Sequence, residues 1–230
     1  MKTTRDRGVW IALTIIVLWT VSLLLLLHYP LDWRNPLTYL FVLVQAHLYT
    51  GLFITAHDAM HHTVSSNGQL NHVIGRICAT LFAFNFYDNL YRKHHLHHRF
   101  VATEDDPDYH EGGFWVWYFN FAKQYINVWQ LLLMSVSFEL LSLVFVKANV
   151  FLYWALPSVL ATFQLFYFGT YLPHRYAPDN RHKSRSQSRN HLLAFLSCYF
   201  FGYHYEHHHA PATPWWQLHR LKERLAQEQR

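Results

Sequence analysis

Three short histidine clusters carry the chemistry open to this sequence. The first is His57-Asp-Ala-Met-His61, the second His94-His-Leu-His97-His98 and the third His204-Tyr-Glu-His207-His208. On a helix, positions i, i+3 and i+4 share one face. His57 and His61 can therefore reach one ion together, as can His94 with His97 or His98, and His204 with His207 or His208. In the second and third clusters the adjacent histidine can turn to a neighbouring ion. Eight neutral imidazoles suit two metal ions with open coordination positions, an arrangement that fits a redox centre better than a closed structural site. His174, in Leu172-Pro-His-Arg175, is a further candidate ligand. A ligating imidazole usually donates its free N–H to a carboxylate or carbonyl. Asp58, Asp105, Asp106, Asp108 and Glu206 are placed for this. Asp58, beside His57, and Glu206, inside the third cluster, are favoured. His62, His95 and His209 adjoin the clusters but break their spacing. His28, His47, His72, His110, His182, His191 and His219 are expected not to ligate. Cys78 and Cys198 lie in separate apolar stretches and read as buried thiols; two cysteines are too few for iron–sulfur or cysteine-rich zinc sites.

The elements that must position these clusters are membrane helices. Apolar residues make up 52% of the chain and charged residues 14%, against about 25% charged in soluble domains. A mean hydropathy of -0.03 does not oppose this, because 19 histidines lower the average while the apolar residues stay in blocks. Four blocks have near the ~20 residues a helix needs to span a bilayer: about 9–27, 37–56, 126–146 and 150–172. Glu139 lies inside the third and Pro157, an expected kink, inside the fourth. The first block is too long for the core of a signal peptide, and no small-residue cleavage site follows it. His72–Phe86 and Leu192–Gly202 are weaker apolar stretches, expected at the interface or against the metal site. The turns 28–36 and 147–149 are short and imply antiparallel helix pairs. Of the 19 lysines and arginines, only Arg34 and Lys147 fall in those turns. The positive-inside rule then puts both termini and the clusters in the cytoplasm. The expected fold is all-α and integral to the membrane. It has four transmembrane helices and a cytoplasmic metal site built from segments 57–125 and 173–230, all within one domain, 1–230. The basic loop 175–189 reads as a solvated linker near anionic headgroups, and nothing suggests a nucleic-acid partner.

These clusters match the HxxxH, HxxHH and HxxHH boxes of the membrane fatty-acid desaturase and hydroxylase superfamily. From about Trp10 to Leu218, the chain more closely resembles bacterial-type β-carotene ketolases. The strings that carry this resemblance are Gly51-Leu-Phe-Ile-Thr-Ala-His-Asp-Ala-Met-His61, Thr103-Glu-Asp-Asp-Pro-Asp-Tyr109, Leu165-Phe-Tyr-Phe-Gly-Thr-Tyr-Leu-Pro-His174, Phe201-Gly-Tyr-His-Tyr-Glu-His-His208 and Pro214-Trp-Trp-Gln-Leu218. His62 stands where the family commonly has glycine. The resemblance implies two iron ions held by His57, His61, His94, His97, His98, His174, His204, His207 and His208. It also implies O2 as co-substrate, electrons from ferredoxin or a similar donor protein, and an apolar carotenoid substrate taken from the bilayer. The implied reaction is two hydroxylations at ring carbon 4 of β-carotene followed by loss of water. This gives the ketones echinenone and canthaxanthin. A rigid apolar substrate calls for a slot, and Trp115, Trp117, Phe163, Phe166, Tyr167 and Phe168 are candidates to line it.

Other activities fit the same boxes. A carotenoid ring hydroxylase would stop at an alcohol, and an acyl-lipid desaturase or hydroxylase would take a flexible chain. A divalent-metal transporter would place ionisable ligands within the spans, whereas here the first, third and fourth blocks hold almost no histidine except at their ends.

Overall fold

A chain can satisfy its backbone in a bilayer only as helices or a closed barrel, and continuous apolar blocks of about 20 residues suit helices. The computed structural model describes residues 3–228, and among them there is no strand. The helices are α1 (Thr3–Leu27), α2 (Pro36–Met60), α3 (Gly68–Leu81), α4 (Tyr87–Phe100), α5 (Phe114–Tyr125), α6 (Val128–Ser142) and α7 (Lys147–His174). Three short helices follow: α8 (His191–Cys198), α9 (His204–His209) and α10 (Leu218–Glu228).

Within α1, Ala12, Ile15, Trp19, Leu23 and Leu26 recur at helical spacing and are buried, whereas Trp10, Val17, Leu24 and Leu25 are exposed. An exposed face this apolar would be an association hazard in water; covered by hydrocarbon it costs nothing. Arg7–Leu27, α2 and α7 are each long and apolar enough to cross a membrane, and they contain the blocks expected at 9–27, 37–56 and 150–172. The block at 126–146 differs: the helix there, α6, has 15 residues, about 22 Å at 1.5 Å per residue. The chain turns at Leu143–Val146, so the apolar run is longer than the helix it contains. The two weaker apolar stretches fold as α3, packed on α2, and as α8.

α2 is the hub, in contact with α1, α3 and α7. Asn35 caps its start by accepting from Leu37 N–H at 3.0 Å, and Pro36 occupies the first helical position, where its missing N–H is harmless. At the same end of the bundle Asn149 Nδ2 donates to the carbonyls of Leu26, Leu27 and Tyr29 at 3.0, 3.3 and 2.7 Å. These bonds satisfy the end of α1 and fasten the two short turns together. Every histidine cluster lies at the opposite end.

The far end of α2 closes with a Schellman motif. Thr63 N–H donates to Asp58 O at 3.1 Å and His62 N–H to Ala59 O at 3.2 Å. This places His62 at φ 55°, a left-handed position that favours glycine. In α7 the bonding widens to π-type turns over Phe151–Ala155 and Phe166–Tyr171. Each lies just before a proline, Pro157 or Pro173, whose ring blocks the ordinary i−4 bond. Wide turns accommodate both prolines, and the second turn leads directly into His174.

Candidate metal centre

Nine histidines from four elements converge on one point of the structure. His57 comes from the last turn of α2 and His61 caps that helix, and His94, His97 and His98 come from α4. His174 ends α7, and His204, His207 and His208 lie on α9. They sort into two quartets: His57, His61, His94 and His207, and His97, His174, His204 and His208. Within each quartet the candidate ligand atoms lie within 4.8 Å of one another. His98 joins the first quartet, its Nε2 lying 3.0 Å from His94 Nε2 and 2.9 Å from His207 Nε2. The sequence spacing left open whether His94 pairs with His97 or His98, and His204 with His207 or His208. In the structure the i, i+4 partner lies closer in both cases; His204 and His208 approach to 3.0 Å.

The donor set fits a pair of metal ions. His61 Nε2 lies 2.7 Å from His94 Nε2, and His97 Nε2 lies 3.1 Å from His208 Nε2. Two nitrogens about 2.1 Å from a shared ion and at right angles to each other are about 3.0 Å apart. Hydrogen bonding cannot account for the whole cluster. The Nε2 atoms of His94, His98 and His208 each meet two other Nε2 atoms, and a ring nitrogen carries at most one proton. Both ring nitrogens of His57, His174 Nε2 and His204 Nδ1 are buried without a partner, a costly arrangement unless a cation supplies one. Burial holds His94, His204, His207 and His208 well below the usual imidazole range and His98 down to about 2. The rings are thereby kept neutral, the state in which they ligate.

Polar partners behind the rings fix their orientation. His97 Nδ1–H donates to both oxygens of Asp106, at 2.9 and 3.0 Å. Asp106 is itself anchored by the N–H groups of Ala102 (2.8 Å) and Asp108 (2.9 Å). Burial pushes His97 down, but Asp106 and then Asp108 outweigh it, and the net shift is upward. A positive charge at this ring is therefore well matched. His174 Nδ1–H donates to Lys183 O at 2.9 Å, so its bare Nε2 turns inward. Of the favoured carboxylates, Asp58 lies 3.6 Å from His57 Nδ1 and accepts Trp215 N–H at 2.9 Å. Glu206 instead pairs with Lys222 at 3.3 Å. Asp105 is exposed, as are His62, His95 and His209.

A cavity of about 230 Å³ reaches this centre. Phe53, Phe82, Leu90, Phe121, Met134 and Phe201 form much of its wall, and His57, His94, His97 and His204 touch it, so it meets both quartets. None of the six aromatics expected to line a slot does so. The cavity face of α7 is Ser158, Thr162, Leu165 and Gly169, small or slender residues at helical spacing, and Phe163, Phe166 and Phe168 lie off it. Trp117 and Phe166 form a separate buried cluster with Tyr118, on which Phe163 stacks at 4.2 Å. Gly169 is required for close approach: a Cβ there would sit 2.2 Å from the Phe201 ring, which packs 4.8 Å from His57.

An all-helical, bilayer-suited scaffold with two all-imidazole quartets at one end defines a membrane protein of the histidine-box type. The Fatty acid desaturase family profile matches residues 34–139 and 112–230. Beta-carotene 4-ketolase 3 of Haematococcus lacustris is 40% identical over 186 residues, covering 74% of this chain and 58% of that protein. A Beta-carotene ketolase of a Paracoccus strain is 40% identical over 177 residues, covering 74% of this chain and 73% of that protein. Zeaxanthin 4-ketolase of Chlamydomonas reinhardtii is 41% identical over 183 residues, covering 74% and 41%. The chain thus spans a little over half the length of the Haematococcus relative. No solved structure matches. The chain belongs to the fatty acid desaturase family, and the relatives it matches there are named as carotenoid ketolases.

Proposed function

We propose that this chain is a di-iron carotenoid oxygenase, a β-carotene 4-ketolase. In this reading it hydroxylates ring carbon 4 twice, and the resulting diol loses water to give echinenone and then canthaxanthin. The observation that carries the reading is the apolar cavity ending on both histidine quartets. The kinship with named ketolases supplies the substrate class. Iron bound at the two quartets would activate O2 with electrons from ferredoxin or a similar donor. The chain's own residues do the rest. Phe53, Phe82, Phe121 and Phe201 bind a rigid hydrocarbon and exclude water. Asp106 and Lys183 O hold the Nδ1 protons of His97 and His174, leaving each Nε2 free for a ligand. His57, His61, His94, His97, His98, His174, His204, His207 and His208 are the proposed iron ligands. Asp58 has a supporting role behind His57, and Glu206 one through Lys222.

The same reading assigns four crossings. α6 and the apolar turn after it expose Val128, Trp129, Leu140, Leu143 and Val144, as a lipid-covered segment would. Lys147 lies 3.1 Å from Glu139, a pairing that limits the cost of charge near hydrocarbon. The chain is then one membrane domain with termini and metal centre in the cytoplasm. Expression in β-carotene-producing cells tests the activity. Echinenone and canthaxanthin are expected, with two irons per purified chain. Only 3-hydroxylated pigments, modified acyl chains in place of carotenoids, or zinc as the sole metal would overturn it.

A further inference from the structure

Gln130 is a polar side chain set into the wall of the apolar cavity. It lies in the first turn of α6, on the face that also presents Leu131 and Met134 to that space. The residue is 6% exposed. Its Nε2 donates to Ala83 O at 2.8 Å, and only a donor can face that carbonyl, so the amide has one orientation. Ala83 is itself held at φ 55° in the turn between α3 and α4. The other amide atom, Oε1, is buried and has no hydrogen-bond partner.

A buried acceptor held rigidly in an otherwise oily cavity requires a donor. The remaining polar side chains of the cavity do not supply it. Tyr125 O–H is committed to Asp108, Ser158 Oγ to Ala155 O at 2.8 Å and Thr162 Oγ1 to Ser158 O at 2.9 Å, and Asn85 Nδ2, which donates one proton to Phe82 O at 2.9 Å, makes no bond to Oε1. We infer that Gln130 Oε1 accepts a hydrogen bond from a hydroxyl on the substrate. The preferred substrate is then a polyene whose bound ring end already carries an alcohol, in preference to the bare hydrocarbon. The inference rests on the carotenoid reading above and narrows it. A hydrocarbon in the same place strips Oε1 of any water and returns nothing, so discrimination comes from the acceptor left bare.

Competition binding tests this without turnover. The whole protein in nanodiscs is offered β-carotene and its 3,3′-dihydroxy derivative together, and the bound ratio is read from the extracted pigments. A ratio within one sample does not depend on how much of a variant has folded. The wild type should favour the diol by about tenfold or more. Gln130→Met, close in shape but without the acceptor, should bring the ratio near one. Gln130→Asn, too short to bridge to Ala83 O and still reach the ligand, should fall between. Equal binding of both pigments by the wild type, with Oε1 served by water alone, overturns the inference and leaves the ketolase reading standing. So does an unchanged ratio in Gln130→Met. Binding of neither pigment overturns both.

Discussion

Replacing Asp106 by asparagine should loosen one metal ion and leave the other in place. The carboxylate has four buried bonds: two to His97 Nδ1–H and one each to the N–H groups of Ala102 and Asp108. Those two amides sit on different oxygens. Asparagine has a single carbonyl, so one amide must face an NH2 group and lose its partner, at about 1–3 kcal/mol of folding stability. His97 also loses the charge that balances a cation on its ring. Removing such a partner typically weakens metal binding by about 10–100-fold, or about 1.4–2.7 kcal/mol. The effect should be confined to the quartet containing His97, since no ring of the other quartet hydrogen-bonds Asp106. The assay is metal content per chain across a graded chelator series. Asp105→Asn, altering an exposed neighbour, serves as the control. One of two ions should leave at chelator concentrations about 10–100-fold lower than in the wild type. A folded Asp106→Asn protein with unchanged resistance would refute the supporting role. Equal loss of both ions would refute the division into two quartets.

Three further outcomes follow from the geometry. His174→Ala should lose metal and activity, because its inward Nε2 has no other partner; Arg175→Ala, which removes a cation stacked on Tyr176 at 4.5 Å, should keep its metal, and near-normal metal content in His174→Ala would remove that residue from the ligand set. His62→Gly should raise stability by up to about 1.5 kcal/mol, since it relieves a left-handed position costing about 1–2 kcal/mol and gives back about 0.5–1 through the flexibility of glycine; a lower melting temperature in detergent would contradict this. Reporter fusions at the C-terminus should respond as cytoplasmic and those in the 28–36 turn as external, and the opposite pattern would invert the proposed topology.

The i, i+3, i+4 spacing made each histidine cluster legible in the sequence, because a helix converts spacing into a shared face without help from the rest of the fold. The quartets were not legible in the same way. Each draws rings from three helices, and which ring meets which depends on how α2, α4, α7 and α9 approach one another. Asp106 stood among five acids, and proximity in sequence favoured Asp58 and Glu206. Its advantage comes from the turn at 101–108, which carries it back beneath His97. The slot-lining aromatics failed for a related reason: room for a substrate beside α7 comes from Ser158, Thr162 and Gly169, and the bulky residues pack elsewhere. The length of the apolar block at 126–146 concealed a helix of only 15 residues and a turn. The glycine habitual after the first box, replaced here by His62, is explained by the backbone angle at that position.

The second quartet ties His97 of α4 and His174 of α7 to His204 and His208 of α9. Helices α8 and α9 have 8 and 6 residues, well below the ~12–15 at which an isolated helix becomes even marginal in water. Their order must therefore come from outside themselves, and with ions bound the quartets act as rivets joining the C-terminal third to the membrane bundle. Cys198, Tyr199 and Phe201 already join the apolar core, and ions held at the quartets would add to that packing by stabilising the closed tail. Metal supply would then bear on the stability of the polypeptide as well as on its activity.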